Sequence, residues 1–254
     1  MTPASTAIIF DKVTKRFPMQ IDRTAKEMIP SLIKGVSWAK YHTVFSKLSL
    51  KIESGETVGI VGRNGAGKST ILKLIAGVTY PNQGSVIVNG QVAPLIELGA
   101  GFHHELSGME NIFLNGAILG MSKSEITARV TQIVKFSELG EFIHSPVKRY
   151  SSGMLMRLGF AIAVQTTAPI ILIDEVLAVG DVGFQRKCLN LLENLKQQRA
   201  KTIVFVSHAE DQVKEFCERA ILIERGEIIL DGEPKTVFKQ YHRLMKTATD
   251  ELPS

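Results

Sequence analysis

Apolar and polar positions divide the chain into short strand-like runs and longer helix-like segments. Residues 44–52 alternate apolar and polar side chains, as a strand with one buried face does. Other short runs predict strands at 7–13, 57–61, 85–88, 91–98, 169–175 and 202–207 and a hairpin at 220–230. Apolar residues at helical spacing predict helices at 71–77, 107–120, 122–137, 151–167, 182–199, 209–217 and 234–246. Because strands alternate with helices, the pattern predicts an α/β fold with a mostly parallel sheet.

The length and the helical block indicate one domain with additions rather than several domains. The chain has 254 residues, 44% of them hydrophobic, which is enough for one large core. The predicted parts are a core at about 1–98 and 168–235, a helical subdomain at about 99–167, an insertion at about 18–42, and a C-terminal helix and tail at 234–254.

Charge and cysteine content exclude some classes of protein. The net charge of +5 is too mild to select a nucleic acid, a membrane or a nucleotide as partner. Cys188 and Cys217 are the only cysteines, which excludes a disulfide scaffold and favours a reducing compartment.

The polar start is not a secretory signal, and no run approaches the ~20 apolar residues of a membrane span. A membrane role is therefore expected to need a separate partner chain.

Residues 62–70 match the phosphate-binding loop motif G-x-x-x-x-G-K-[ST]. A predicted strand at 57–61 precedes the motif and a predicted helix follows it, which is the context that the motif needs. We expect Lys68 to reach the β- and γ-phosphates of a nucleotide and Ser69 to bind Mg²⁺. The candidate nucleotide-binding residues are Gly62, Arg63, Asn64, Gly65, Ala66, Gly67, Lys68, Ser69 and Thr70.

A second acidic motif ends the predicted strand at 169–175. Four apolar residues precede Asp174 and Glu175, a pattern typical of the strand that helps to hold Mg²⁺ beside a phosphate loop. Mg²⁺ prefers oxygen ligands, so Asp174 is its second candidate ligand after Ser69. Glu175 is the candidate general base that polarises an attacking water. A solvated acidic turn is the alternative interpretation.

A third motif, Tyr150-Ser151-Ser152-Gly153-Met154, lies between the first two. Phosphate loop, serine–glycine element, acidic strand and later histidine occur in the order of ATP-binding cassette (ABC) ATPases, which this chain resembles. Ser151 and Gly153 match the family signature L-S-G-G-Q, whereas the first, third and fifth positions depart from it. An ordinary helix N-cap at Ser151 is the alternative interpretation, since serine favours that position. The resemblance implies a P-loop NTPase (RecA-like) core, an antiparallel β subdomain and an inserted α-helical subdomain.

The same resemblance implies a head-to-tail dimer with two shared ATP sites. Ser151 and Gly153 of one copy would contact the γ-phosphate bound by Lys68 of the other. Asp181 occupies the position of the family's D-loop and would link the two sites, although it also fits the N-cap of the next helix. His208, which follows a predicted strand, resembles the switch histidine that contacts the γ-phosphate and orients water.

Two family features match less closely. An aromatic residue normally stacks on adenine, and Phe17 is the candidate, with Tyr41 and Phe45 as rivals because the insertion disturbs the alignment. The family's Q-loop glutamine has no obvious match, and Glu97 is the candidate to replace it as a metal contact.

Several segments resemble one branch of the family. The segments Leu95–Phe102 and Leu106–Ile112 look like those of ATPase subunits that export O-antigen, capsular polysaccharide or teichoic acid in bacteria, and so do the variants Y-S-S-G-M and D-E-V-L-A-V-G-D. The insertion at 18–42 mixes apolar and basic residues, so it is expected to face the membrane, with a packed surface hairpin as the alternative. Because the chain ends at Ser254, no C-terminal carbohydrate-binding domain is expected.

The resemblance implies ATP and Mg²⁺ as cofactors and three partners. These are a second copy of the chain, a polytopic membrane permease and a lipid-linked polysaccharide, with no nucleic acid. The expected location is peripheral, at the cytoplasmic face of the bacterial inner membrane. The alternatives are the ATPase subunit of another ABC transporter, a soluble ABC protein acting on ribosomes or DNA, and a non-hydrolysing scaffold.

Overall fold

A computed structural model of the chain describes residues 5–19, 40–95, 101–174, 181–199, 201–207 and 209–250, without the side chains of 247–250. Its strands are β1 (Thr6–Pro18), β2 (Tyr41–Glu53), β3 (Thr57–Gly62), β4 (Gln83–Val88), β5 (Val92–Leu95), β6 (Ile170–Asp174), β7 (Thr202–Val206), β8 (Arg219–Glu224) and β9 (Glu227–Gly232). Its α-helices are α1 (Lys68–Ile75), α2 (Gly108–Ile118), α3 (Lys123–Ser137), α4 (Ser152–Val164), α5 (Val182–Gln197), α6 (Glu210–Phe216) and α7 (Pro234–Asp250). Two short 3₁₀ helices lie at Gly140–His144 and Val147–Arg149.

The larger sheet has six strands in the order β5-β6-β7-β3-β8-β9. All its neighbours are parallel except β8 and β9, which form the antiparallel hairpin that the sequence predicts. The central strands β3 and β7 are buried along their whole length, as in parallel sheets that are covered on both faces. Because β3 and β6 are both parallel to β7, their carboxyl ends reach the same edge of the sheet.

The smaller sheet is antiparallel, in the order β2-β1-β4. Strand β1 continues to Pro18 and pairs there with Tyr41 of β2, so the predicted end of this strand at Val13 is wrong. Register shifts near Lys12, whose φ is 48°, interrupt the alternation on which the sequence prediction depends. The two ends of the insertion predicted at 18–42 thus belong to the β1–β2 ladder or lie next to it. Its residues 20–39 lie outside the described part of the chain.

Three groups of buried apolar side chains hold the layers together. One lies between the six-stranded sheet and helices α4 to α7, and a second fills the space between the two sheets and α1. The third lies within the part of the chain at 101–167, which contains α2, α3 and α4 and is called the helical segment below, and it includes Phe102, Ile112, Ile126 and Leu158. The predicted α/β fold, with an antiparallel sheet and a helical block added to it, is confirmed.

Helices α2 and α3 begin where the sequence provides strong caps. Ser107 and Glu110 form a reciprocal capping box at α2, and Ser122 and Glu125 form another at α3. Among the residues that the structure describes, no helix combines the length and the apolar character that crossing a bilayer requires.

Candidate functional site

The loop between β3 and α1 carries the predicted phosphate-binding motif. Gly67, the residue before α1, has a φ of 106°, which L side chains rarely adopt. A Cβ at Gly67 would lie 2.5 Å from Cε1 of Phe45, a fully buried residue of β2. Glycine is therefore required here both by the backbone conformation and by the aromatic ring against which the loop rests.

Lys68, the first residue of α1, folds its side chain back into the loop. Its ammonium donates hydrogen bonds to the carbonyl oxygens of Gly62, at 2.8 Å, and of Arg63, at 3.1 Å, and the residue is only 8% exposed. Backbone amides and the positive end of the helix dipole lie at the same place. The loop therefore combines three sources of positive potential, as a phosphate-binding site needs.

A cavity of about 610 Å³ opens beside this loop, within the size range of small-molecule sites. Its lining brings together an ammonium, two hydroxyls and a carboxylate from Lys68, Ser69, Thr70 and Asp174. Asp174 ends β6, next to β7, which explains how a residue so distant in sequence reaches the loop. The full lining is His42, Val44, Asn64, Gly65, Gly67, Lys68, Ser69, Thr70 and Asp174.

The chemistry of this lining fits a nucleotide with Mg²⁺. The hydroxyl of Ser69 and the carboxylate of Asp174 are the oxygen ligands that Mg²⁺ prefers. Three predicted loop residues, Gly62, Arg63 and Ala66, support the cavity without lining it. Gly62 accepts the bond from Lys68, Ala66 is buried, and the guanidinium of Arg63 lies 3.9 Å from the carboxylate of Glu224.

The predicted signature residues lie at the start of α4, not in the cavity. The hydroxyl of Ser151 accepts a hydrogen bond from the amide of Met154 at 3.2 Å and so caps the helix. The nearest atom to a Cβ built at Gly153 would be the Ser151 hydroxyl, at 3.8 Å, so this turn borders open space. One copy of the chain therefore does not bring Ser151 and Gly153 to its own phosphate loop.

Comparison with known proteins identifies the family. The family model described as ABC transporter matches residues 45–178, more than half of the chain. The chain belongs to the ABC transporter family. A dimeric ATP-binding cassette solved in a post-hydrolysis state with ADP and Pi has the same fold, with a TM-score of 0.71, 24% identity, and coverage of 89% of this chain and 98% of that one.

Three relatives show how far the similarity to ABC transporter proteins extends. The ABC transporter protein AbcA of Aeromonas salmonicida is 47% identical over 94% of this chain and 77% of its own length. The O-antigen export system ATP-binding protein RfbB of Klebsiella pneumoniae is 43% identical over 94% of this chain and 98% of its own length. The teichoic acids export ATP-binding protein TagH of Bacillus anthracis is 40% identical over 93% of this chain, which spans 42% of that protein.

Asp181 caps α5 in this ABC protein, so the N-cap interpretation of this residue is confirmed. Its carboxylate accepts a hydrogen bond from the amide of Phe184 at 3.0 Å and also contacts the guanidinium of Arg157. The amide of Phe184, and secondarily the charge of Arg157, lower the pKa of Asp181, so the residue is ionised at neutral pH. The D-loop role that the family resemblance implies is compatible with this position and stays a prediction.

The three aromatic candidates for contact with adenine have different environments. Phe45 is fully buried under Gly67, which removes it as a stacking platform. Phe17 is 38% exposed, with the Lys15 ammonium 4.7 Å from its ring centroid. Tyr41 is 54% exposed and pairs with Pro18, the residue that follows Phe17 in β1.

The sequence analysis missed His42, which lines the cavity. His42 lies directly opposite Phe17 on the β1–β2 ladder, and residues opposite each other in an antiparallel pair point to the same face. Only the register of these strands reveals this pairing, because more than twenty residues of sequence separate the two positions.

Three predicted site residues, Glu97, Glu175 and His208, lie outside the described part of the chain. Asp174 and Ser207 immediately precede two of them and end up at or next to the carboxyl ends of the adjacent strands β6 and β7. The predicted roles of all three residues stay predictions.

Proposed function

We propose that this chain is the ATP-hydrolysing subunit of an ABC exporter that moves a lipid-linked polysaccharide across the bacterial inner membrane. The observation that carries the proposal is the similarity, over nearly the whole length of both chains, to the Klebsiella O-antigen export subunit. The cavity beside Lys68 supports it independently, since its lining suits a nucleoside triphosphate.

The phosphates of ATP bind on the loop at 62–70. Backbone amides and Lys68 neutralise the phosphate charge, while Asn64 and Thr70 line the same cavity. Phe17 and His42 contact the base from the β1–β2 ladder. ATP therefore contacts both sheets: its phosphates bind the loop that follows a strand of the larger sheet, and its base contacts the ladder of the smaller sheet.

Ser69 and Asp174 hold Mg²⁺, and Glu97 contributes a further oxygen ligand. Bound there, Mg²⁺ supplies charge neutralisation to the phosphate oxygens. Ser69 and Asp174 are fixed by α1 and β6, whose packing in the second buried group keeps the hydroxyl and the carboxylate at the cavity.

Glu175 acts as the general base for water attack, and His208 orients the water and hydrogen-bonds the γ-phosphate. The carboxylate of Glu175 takes the proton of the attacking water. Lys68 balances the charge that develops on the phosphate being released. In this assignment hydrolysis needs Glu175, which follows β6, His208, which follows β7, and Lys68, which begins α1.

A second copy completes the site. Because Ser151 and Gly153 start α4 on the surface, they can present a helix N-terminus to the γ-phosphate bound by the partner copy. Asp181 links the two sites. Hydrolysis removes these shared contacts and allows the dimer to open, which converts the chemistry into motion.

The membrane component is a separate polytopic permease, and the chain lies peripherally at the cytoplasmic face of the membrane. The insertion at 18–42 faces the membrane or the lipid-linked polysaccharide, and the helical segment transmits motion to the permease. No nucleic acid partner is proposed.

The proposed export function is tested in the host bacterium with a Lys68→Ala variant. We expect surface polysaccharide to disappear and lipid-linked polysaccharide to accumulate inside the cell, because the proposed contacts of Lys68 with the β- and γ-phosphates would be lost. Surface polysaccharide is quantified by immunoblot, the intracellular glycan lipid by mass spectrometry, and the partner by co-purification from membranes. Normal surface polysaccharide, or co-purification with ribosomes or DNA instead of a membrane protein, would contradict the proposal.

The base-binding role of Phe17 and His42 is tested by alanine substitution. We expect each variant to raise the KM for ATP by about tenfold with little change in kcat, because contact with an aromatic platform contributes about 1–3 kcal/mol per base. Tyr41→Ala is the matched control, since its position on the ladder alternates to the other face. An unchanged KM in both variants would remove the β1–β2 ladder from base recognition.

A further inference from the structure

A cluster of four charged residues joins the helical segment to the start of α5. This cluster consists of Glu138, Arg157, Asp181 and Lys187, and we call it the Arg157 cluster. The guanidinium of Arg157 contacts Glu138 through Nη1 at 3.3 Å and Asp181 through Nη2. The ammonium of Lys187 lies 2.7 Å from the other carboxylate oxygen of Glu138. Two cations and two carboxylates thus alternate along one connected chain.

Both cations of the Arg157 cluster rest on aromatic rings. The guanidinium of Arg157 lies 5.0 Å from the ring centroid of Phe184, and Arg157 has only 21% of its side chain exposed. The ammonium of Lys187 lies 4.6 Å from the ring centroid of Phe136 and donates to the carbonyl of the same residue at 2.9 Å. These contacts orient the charges instead of leaving them free in solvent.

The Arg157 cluster connects elements that are far apart in sequence. Glu138 is the C-cap of α3 and has a left-handed conformation with φ 57°, Arg157 lies within α4, and Asp181 caps α5. Asp181 is also the first described residue after 175–180, the stretch that contains the proposed base Glu175. Arg157 therefore holds α4, the helix that begins at the Ser151–Gly153 motif, and the start of α5 together by a direct contact.

We propose that Arg157 is a positioning residue that fixes Asp181 relative to Ser151 and Gly153, so that both surfaces meet the partner copy as one unit. This role rests on the proposed function, in which a second copy completes the ATP site. Arg157 lies roughly 9 Å along α4 from Ser151, at about 1.5 Å per residue, so one rigid helix carries both.

The geometry explains why arginine occupies this position. A guanidinium presents separate N–H donors in a fixed fork, and here the two ends of the fork reach two different carboxylates. Lysine carries its donors on one nitrogen atom and lacks the two separated nitrogens of the planar fork, so it would contact these two carboxylates with different geometry. Arg157→Lys is therefore expected to keep the charge and lose part of the positioning.

The inference is tested by a double-mutant cycle of Arg157→Gln and Asp181→Asn in a Glu175→Gln background. Asparagine is as good an N-cap residue as aspartate, so Asp181→Asn removes the charge without removing the cap of α5. We expect each single substitution to weaken ATP-dependent self-association by about tenfold, and the double variant to be no weaker, because both remove the same interaction. Self-association is measured by analytical ultracentrifugation, and ATP affinity of the dilute subunit is expected to stay unchanged.

Lys148→Gln is the matched control, since it breaks an exposed ion pair with Glu105 in the same helical segment. It is expected to change nothing, and the melting temperatures of all variants should stay close, because partly exposed ion pairs contribute little to stability. If the melting temperature of Arg157→Gln falls far below that of the Glu175→Gln parent, the test rests on Asp181→Asn and Arg157→Lys. We then expect Asp181→Asn to weaken self-association, and Arg157→Lys to give self-association between those of the parent and Arg157→Gln.

Three results would overturn the inference. Additive losses in the double variant, about a hundredfold in total, would mean that Arg157 and Asp181 act independently. If the Glu175→Gln parent dimerises in the presence of ATP and Arg157→Gln dimerises equally well, the role of Arg157 is contradicted, but the proposed dimer is not. If the parent never dimerises in the presence of ATP, both the role of Arg157 and the proposed dimer are contradicted.

Discussion

Lys68→Ala is expected to reduce ATP hydrolysis by at least about 100-fold and to abolish measurable nucleotide binding at micromolar concentrations, since loss of one charge-stabilising donor at a reacting group already costs about 10²–10³ in rate. The Lys68 ammonium is a buried positive charge at the proposed phosphate site, and two carbonyl oxygens hold it in place. Binding is measured by titration with a fluorescent nucleotide, and hydrolysis by phosphate release.

Lys73→Ala provides the matched control for Lys68→Ala. Lys73 lies in the last turn of the same helix, α1, and is exposed. Its loss removes one positive charge from the chain without touching the cavity, so both measurements should match those of the unmodified protein. If Lys68→Ala behaved like Lys73→Ala, the phosphate-binding role of the loop would be wrong.

Glu175→Gln is expected to leave ATP binding intact and to slow hydrolysis by roughly 100-fold or more, because general-base catalysis contributes about 10²–10⁴. Glutamine has nearly the same shape as glutamate and cannot accept the proton of the attacking water. Because the bound ATP is no longer consumed, the variant should also accumulate as an ATP-dependent dimer, visible by size-exclusion chromatography.

Glu141→Gln, at an exposed position of the helical segment, is the control for Glu175→Gln and should hydrolyse ATP normally. Near-normal turnover in Glu175→Gln would remove Glu175 from the role of general base and direct attention to another group that could activate the water. Loss of ATP binding in the same variant would instead indicate that Glu175 supports the cavity.

The parts of the site that sequence could predict are those encoded locally. The loop, its lysine and its following helix are contiguous, so their motif is visible directly, and the structure places Lys68, Ser69 and Asp174 at one cavity. The caps at Ser151 and Asp181 are equally local, because each bonds an amide three residues ahead.

The parts that sequence could not predict depend on pairing between distant residues. The continuation of β1 to Pro18 and the position of His42 follow from the register with β2, which β-bulges shift several times. The Arg157 cluster draws on three separate helices, and nothing near any one of its residues indicates the others. Helices and strands are encoded by local sequence patterns, whereas contacts between distant elements depend on how the whole chain folds.

The contact between Gly67 and Phe45 has a consequence for protein engineering. The loop at 62–70 is contiguous in sequence, yet its turn at Gly67 packs closely against the Phe45 ring supplied by β2. Transplanting residues 62–70 alone into another scaffold would leave the loop without that support. A functional graft from this protein would have to include the β2 segment around Phe45, so the smallest portable unit spans two sheets.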